Sequence, residues 1–523
     1  MLSLLVFFPI LFGLILFLFP VRLLSSTALV GSGLQFLLSC SLFFLFDPSH
    51  PELQMKESFE LVPFFGINYF LAIDGLSFWY VLLSAFLLPL VVLFSFKEKN
   101  PLYFFLMFSL VTLSNGVFLS FDGILFYIFF ELSLLPLFFL IFIWGGKKKV
   151  YASFKFLIYT FFASLFLLGG LIVMMLMNEA ETGQISASLL DFYNLNFVFI
   201  ENQFLSAQSL LFFCFCFAFA VKTPLVPFHT WLPLAHVEAP TGASVYLAAV
   251  LLKMGTYGWF RFVLPLFPEA SHFYSPLLLF LACFSLIYSS LIAFAQRDLK
   301  KLVAYSSIAH MAYVLIGLFS FNIYGLQGAF YQTLTHGISS AGLFLTVGLI
   351  YQRGKSRDIT SYGGLSKTMP LFAMAFFIIS LSSMAFPLTA GFISEFLVLL
   401  GSFLSQKLWV YLAISGVVLT AIYMLNAFQK IFFMKESSLS KKQKDLGLIE
   451  ILYLSPIVFL VFFMGLFPNL FFKYSKASLE HLNKNQHNYS LTFYDSEKKQ
   501  EVKNSSDSLE SLKESNKQKE KVL

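Results

Sequence analysis

Six ionisable residues stand in stretches that are otherwise almost wholly apolar: Glu131, Lys222, Lys253, His310, His336 and Glu395. Lys222 lies in FFCFCFAFAVKTPLVPFHTWLPLAHVEAP, directly before Pro224 and Pro227, which interrupt the helix that this run predicts. A lysine in the centre of a membrane helix costs about 2.5 to 3.5 kcal/mol on insertion scales, so it needs a partner, water or a function. Glu131 opens ELSLLPLFFLIFIWGG, Lys253 sits in SVYLAAVLLKMGTYGWF, His310 in AYSSIAHMAYVLIGLF and His336 in QTLTHGISSAGLFLTVG. Glu395 follows a second interruption, SSMAFPLTAGFISEFLVLLG, at Pro387 and Gly391.

The chemistry open to such a set is proton transfer. Burial disfavours the charged form of either group and a nearby opposite charge restores it, so a lysine near a movable carboxylate is a two-state proton site. Glu131 is the candidate partner of Lys222, Lys253 the candidate receiver through histidine or water, and Glu395 the candidate exit. Each residue also has a structural reading: a carboxylate that neutralises a lysine, or a histidine that clamps two helices at about 0.6 kcal/mol per contact. Taken together the six are hard to explain as glue, since fewer charges would hold helices at lower cost. His229, His236 and Glu238 follow the first break, and there capping or loop structure is favoured over a proton entrance.

The elements that must position these groups are membrane helices. The 523 residues are 58% hydrophobic and 12% charged, with a mean hydropathy of +0.80, against about 25% charged in soluble domains. The apolar runs reach the length a helix needs to cross a bilayer, not the alternation of barrel strands. The chain reads as all-α, a polytopic integral membrane protein of about fourteen transmembrane helices, in windows near 2–19, 28–46, 75–96, 101–121, 123–144, 151–177, 205–228, 241–265, 274–296, 301–319, 327–350, 369–401, 408–434 and 446–470.

Alternate loops collect basic residues, as the positive-inside rule requires. They carry Arg22; Lys97 and Lys99; Lys147 to Lys149; Arg297, Lys300 and Lys301; Arg353, Lys355 and Arg357; and Lys435, Lys441, Lys442 and Lys444. The opposite loops carry Asp47, Glu52, Glu57, Glu60, Glu179, Glu181, Asp191 and Glu269, with Lys56 and Lys407 as exceptions. Both termini are therefore expected on the outer side. The two helix interruptions fall in spans seven and twelve. Five is odd, so a five-helix repeat returns inverted, and discontinuous helices in matching positions mark a transporter's ion path. Spans four to eight and nine to thirteen are the expected inverted repeats. The organisation is then three helices in 1–100, a first repeat in 101–265, a second in 266–435, a last helix in 436–470 and a polar tail in 471–523, read as disordered or lying against a partner.

The net charge of +6 reflects this topology and not a nucleic-acid surface. Cys40, Cys214, Cys216 and Cys283 lack the spacing of a metal site and read as buried packing. No GxGxxG, Walker or CxxC motif occurs. The start, MLSLLVFFPILFG, lacks a basic presequence and a cleavage site, so the first helix is expected to stay. The 71 phenylalanines point weakly to an AT-rich organellar genome.

The run AVKTPLVPFHTWLPLAHVEAPTGASVYLAAVLLKMGTYGWFRF, followed by QRDLKKLVAYSSIAHM, LTHGISSAGLFLTVGLIYQR, YGGLSKTMP and FISEFLVLLG, resembles the chain 4 family of mitochondrial NADH-ubiquinone oxidoreductase, strongly over about 100–435. The resemblance implies an antiporter-like, fourteen-helix subunit of the membrane arm of complex I in the inner mitochondrial membrane. It implies no cofactor of its own, with NADH, FMN, iron-sulfur clusters and ubiquinone bound by other subunits, and the antiporter-like chains 2 and 5 and the lipid bilayer as partners. The family's proton-path residues match Glu131, Lys222, Lys253, His310, His336 and Glu395. Glutamate at 395 is the discriminating position, because the sister chains carry lysine there. The break before it reads PLTAGF, where the family more often has glycine after the proline. Two other readings stay open: a subunit of a multi-chain sodium/proton antiporter, and a scaffold that conducts nothing.

Overall fold

Within a bilayer the backbone must satisfy its own hydrogen bonds, so apolar runs of this length close into helices. The computed structural model describes residues 1–195, 197, 199–200, 206–405, 407–484 and 486. In chain order it contains α1 (Leu2–Leu18), α2 (Leu24–Leu45), α3 (Ser77–Phe94), α4 (Pro101–Leu119), α5 (Gly123–Trp144), α6 (Lys149–Thr182), α7 (Ala207–Lys222), α8 (Trp231–Glu238), α9 (Thr241–Leu266) and α10 (Ser275–Ala295). There follow α11 (Leu299–Leu318), α12 (Ile323–Gly354), α13 (Pro370–Ser383), α14 (Ala390–Ser405), α15 (Lys407–Phe432) and α16 (Leu448–Leu466). Eleven of these are long and apolar enough to cross a membrane. Each window expected from the sequence holds helix; 369–401 holds two helices with a break between them, and 205–228 holds α7 and the break that separates it from α8.

The centre is formed by α9 and α12, whose membrane-spanning stretches are wholly buried. Around α12 pack α3, α9, α11, α13, α14 and α16, so the helices that carry Lys253, His310, His336 and Glu395 all meet on it. The small residues in GASVYLAAVLLKMGTYG permit this closeness: a Cβ on Gly255 would come within 2.6 Å of Thr223 Oγ1 at the first break. α6 and α15 lie outside, with much of their surface uncovered.

Two segments differ from the sequence expectation. The all-α reading missed a hairpin in the acidic loop before α3, β1 (Gln54–Val62) and β2 (Ile67–Ile73), paired antiparallel with Phe59 opposite Tyr69. β1 is exposed on both faces beyond Glu57, which leaves no clean alternation to read. Its turn is closed by Gly66 in the left-handed region, φ 61°. Glu57 accepts the Leu2 and Ser3 amides at 2.8 and 2.9 Å and so caps α1. The polar tail, expected to be disordered or partner-bound from 471, instead begins as helix α17 over 468–484. Its buried residues Phe471, Ser475, Ser478, Leu479 and Leu482 share one face at helical spacing. Phe471 O accepts the Trp79 indole at 3.0 Å and Ser478 Oγ the Gly75 amide at 3.1 Å. The face was masked by the charged residues between its members. Residues 487–523 of that tail lie outside the described residues.

Candidate functional site

α7 ends at Lys222 because Pro224 and Pro227 remove the next amide donors. The freed backbone is satisfied locally and from a neighbour: Thr223 N–H donates to Phe219 O, Leu225 N–H to Ala220 O, and Val226 N–H to Ser285 Oγ on α10 at 2.9 Å. The chain re-enters helix at Trp231, whose indole donates back to Val221 O at 3.0 Å and ties the two halves together. Lys222 is 2% exposed and its Nζ makes no hydrogen bond. It sits 4.4 Å from the centre of the Phe130 ring, a cation–π contact. The next residue is Glu131, whose Oε1 is also without a partner. The two charges are close enough to act on each other, but no ion pair within 4 Å joins them. The structure thus places the expected partners in one locality, apart.

Lys253 is held differently. The helix α9 widens into π turns at Leu247–Leu251 and Trp259–Val263, on either side of it. A π turn shifts the hydrogen-bonding register by one residue. The Ala248 carbonyl accepts the Lys253 Nζ at 2.7 Å. The same ammonium lies 2.6 Å from His336 Nδ1 on α12. With Nζ donating, Nδ1 is the acceptor and the His336 ring proton is on Nε2, which has no protein partner. Lys253 is fully buried.

The His310 ring lies 5.5 Å, centre to centre, from that of His336. His310 Nδ1 is 3.1 Å from Glu395 Oε1 and its Nε2 is 3.0 Å from Ser383 Oγ. Gln332 Nε2 approaches both His310 Nδ1, at 3.3 Å, and Glu395 Oε1, at 3.4 Å. Ser394 donates to Gln332 Oε1, and Thr335 Oγ1 lies 3.1 Å from Ser394 Oγ. Glu395 is 2% exposed. It stands in the second turn of α14, just after the break at 384–389, where Ala385 and Leu388 adopt left-handed φ of 52° and 73°. The position after Pro387 is therefore one that glycine would occupy without strain.

Sequence reasoning missed Gln332, Ser383, Thr335 and Ser394, which bridge the ionisable groups. Gln332 lies four residues before His336, on the same helix face, which was the available signal. It also missed the buried pair of Arg261 Nη2 and Asp74 Oδ2 at 2.6 Å, with Arg261 Nε 3.0 Å from Tyr257 Oη. Of the three residues after the first break, Glu238 fits the capping reading, since its Oε2 accepts the Lys148 amide at 2.9 Å before α6. His236 does not: it is fully buried, stacked 4.5 Å from Phe344, and neither ring nitrogen has a partner. The carbonyls at the end of α8 are instead met by cations, Arg357 at Val237 O and Lys300 Nζ at Ala239 O, 2.6 Å.

The chain as a whole is similar to known proteins. Residues 120–422, more than half of the chain, match the family described as NADH:quinone oxidoreductase/Mrp antiporter, TM. NADH-quinone oxidoreductase subunit M of Rhodobacter capsulatus is 41% identical over 88% of this chain and 90% of its own length. NADH-ubiquinone oxidoreductase chain 4 of Marchantia polymorpha is 38% identical over 92% of this chain and 96% of its own. A chain of respiratory complex I from Thermus thermophilus superposes with a TM-score of 0.84 at 32% identity, covering 93% of this chain and all of that one. A chain of the Mrp complex from Dietzia shares the fold, with a TM-score of 0.79 at 19% identity over 92% of this chain and 97% of its own. On the extent of these matches, the chain belongs to the NADH:quinone oxidoreductase/Mrp antiporter family of membrane subunits.

Proposed function

We propose that this chain is a proton-translocating, antiporter-like subunit of respiratory complex I, multi-pass in the inner mitochondrial membrane, that moves protons in response to NADH:ubiquinone electron transfer in other subunits. The relatives named NADH-quinone oxidoreductase subunit M and chain 4 support membership of that complex over a free-standing cation antiporter. The neighbouring antiporter-like chains 2 and 5 are the proposed partners.

One observation carries the reading: Lys253, His336, His310 and Glu395 form a row of buried titratable groups, with hydrogen-bond contacts of 2.6 Å and 3.1 Å at its two ends and ring centres 5.5 Å apart between them. Lys253 Nζ gives its proton to His336 Nδ1, and His336 releases one from Nε2. His310 takes up a proton at Nε2 from the Ser383 hydroxyl, which is replenished by the one His336 releases, and gives one from Nδ1 to the Glu395 carboxylate. Gln332 Nε2 donates to the same carboxylate oxygen and holds it beside the imidazole. Lys222 and Glu131 form the input: when they approach, the ammonium is stabilised, and when they separate the proton moves on. Spans four to eight and nine to thirteen are the proposed inverted repeats that carry these two halves.

The test replaces Lys222 by Met in the assembled complex and compares NADH oxidation with proton pumping in vesicles. Pumping is expected to be lost with electron transfer impaired or uncoupled. Assembled enzyme with normal pumping and electron transfer overturns the proposal in favour of a scaffold.

A further inference from the structure

Far from the ionisable row, α2 and α16 both pack on α3, and a groove of about 560 Å³ lies between them on that helix. At its inner end stand Phe36 and Phe86, the lining residues of α2 and α3 furthest from the hairpin, with ring centres 5.9 Å apart. At the other end Phe43, Trp79 and Tyr474 form a collar, with centres 5.4 to 5.8 Å apart. This mouth is on the hairpin side, since Trp79 follows β2 closely and its indole donates to Phe471 O on α17. Phe43 and Phe459 are exposed at the rim, so the groove opens sideways toward the bilayer. From Trp79 to Phe86 it descends about 10 Å along α3, against roughly 15 Å for the hydrocarbon of one leaflet.

Apart from Cys40, Trp79, Tyr474 and Lys473 the lining is wholly apolar, and the Trp79 indole is already bonded. Water finds no set of polar partners there, whereas hydrocarbon chains are as apolar as the leucines of the wall. Lys473 is the one charged residue of the lining, exposed, with no carboxylate within 4 Å among the described residues. Its neighbour Lys476 is paired instead, with Glu480 at 3.8 Å. An unpaired cation stands out here, because the loop before α3 is rich in acid, with Glu52, Glu57 and Glu60. A cation at the interface above an apolar channel is complementary to an anionic amphiphile, its phosphate at headgroup level and its chain inside. The inner wall includes Leu334 and Ile338 of α12, which precede and follow His336 by two residues and so lie on the far side of that helix from it.

We propose that this groove is a site for one anionic phospholipid of the hairpin-side leaflet, with an acyl chain between α2 and α16 and the headgroup phosphate on Lys473. The chain backs α12 at the level where the His336 ring meets Lys253. The site is defined by packing and charge, so it goes beyond the proton-translocation reading and does not rest on it.

Two photoactivatable lipids test it on the assembled complex in vesicles: phosphatidylglycerol and phosphatidylcholine that carry the same diazirine acyl chain. After irradiation, mass spectrometry maps the adducts, with yields normalised to the whole membrane arm. Adducts within 36–43 and 456–464 are expected, about fivefold more from phosphatidylglycerol, the preference that one lysine gives an anionic headgroup. Lys473→Gln, a change at an exposed side chain, is expected to lower that yield to the phosphatidylcholine level. Groove residues free of adducts from both lipids mean that another subunit covers them, and overturn the site. Equal yields from the two lipids, or an excess that survives Lys473→Gln, mean a crevice without headgroup recognition and also overturn the proposal. Pumping does not enter this readout, so the proton-path reading is judged separately by Lys222→Met.

Discussion

The two broken helices present opposite solutions to the same problem, a charge at membrane depth. At the first, Lys222 ends α7 with its ammonium over the Phe130 ring and no hydrogen bond. At the second, Glu395 is reached by His310 and Gln332, which are themselves anchored by Ser383 and Ser394. A group held by a ring face can shift by an ångström without losing a directional bond, whereas a carboxylate in a hydrogen-bonded network cannot. The lysine end is built to move relative to Glu131, and the glutamate end is built to stay where its histidine is.

That contrast predicts different tolerance to small changes. Glu395→Asp withdraws the carboxylate from His310 by one methylene and is expected to slow pumping by about 10²-fold, the size of a misplacement of about 1 Å. Lys222→Arg keeps the charge over Phe130 and is expected to lose far less. Proton uptake by vesicles during NADH oxidation compares the two, and equal losses would erase the distinction. The walls of the breaks come next in size. A Cβ on Gly391 would stand 1.9 Å from Ser382 O, and one on Gly255 2.6 Å from Thr223 Oγ1 and 2.9 Å from its amide nitrogen. Gly391→Ala meets a backbone carbonyl at 1.9 Å and is expected to destabilise by about 3 kcal/mol; Gly255→Ala meets a hydroxyl held by the Trp259 indole and backbone at 2.9 Å, a lesser overlap, and costs about 2 kcal/mol. The thermal midpoint of the assembled complex reads both, and the reverse order would show that the first break is the stiffer. Smallest and of opposite sign is Leu388→Gly. Leu388 holds φ 73° and is 61% exposed, so little packing is lost and the left-handed strain of about 1–2 kcal/mol is relieved, partly offset by the freer unfolded chain. A rise in the same midpoint is expected, and a fall would mean that Leu388 packs where it looks open.

The helices were legible in the sequence because a bilayer imposes a length and a composition on each span, and no tertiary contact is needed to satisfy the backbone of a helix. The breaks were legible for a similar reason: Pro224, Pro227 and Pro387 act on the residue that carries them. The hairpin was not, since β1 is stabilised by its partner strand and by Glu57 reaching Leu2 and Ser3, contacts 55 and 54 residues distant. The tail helix α17 hid its buried face among lysines and serines, and its docking on Gly75 and Trp79 joins residues 403 and 392 apart in the chain.

The sequence alone determined which groups are costly in a membrane: Glu131, Lys222, Lys253, His310, His336 and Glu395 each declare themselves by charge within an apolar run. Only the tertiary structure decided how they are joined. Lys253 meets His336 because a π turn in α9 sets its ammonium on the Ala248 carbonyl, and His310 meets Glu395 because Ser383 holds the ring at its other nitrogen and Gln332 donates to the carboxylate from a third helix. Lys222 and Glu131, by contrast, come near without bonding. Neutral polar residues such as Gln332, Ser383 and Ser394 carry little signal in one dimension, because they declare themselves only once packing places them beside the ionisable groups. Charge is a property of the residue, and a proton path is a property of distances between helices.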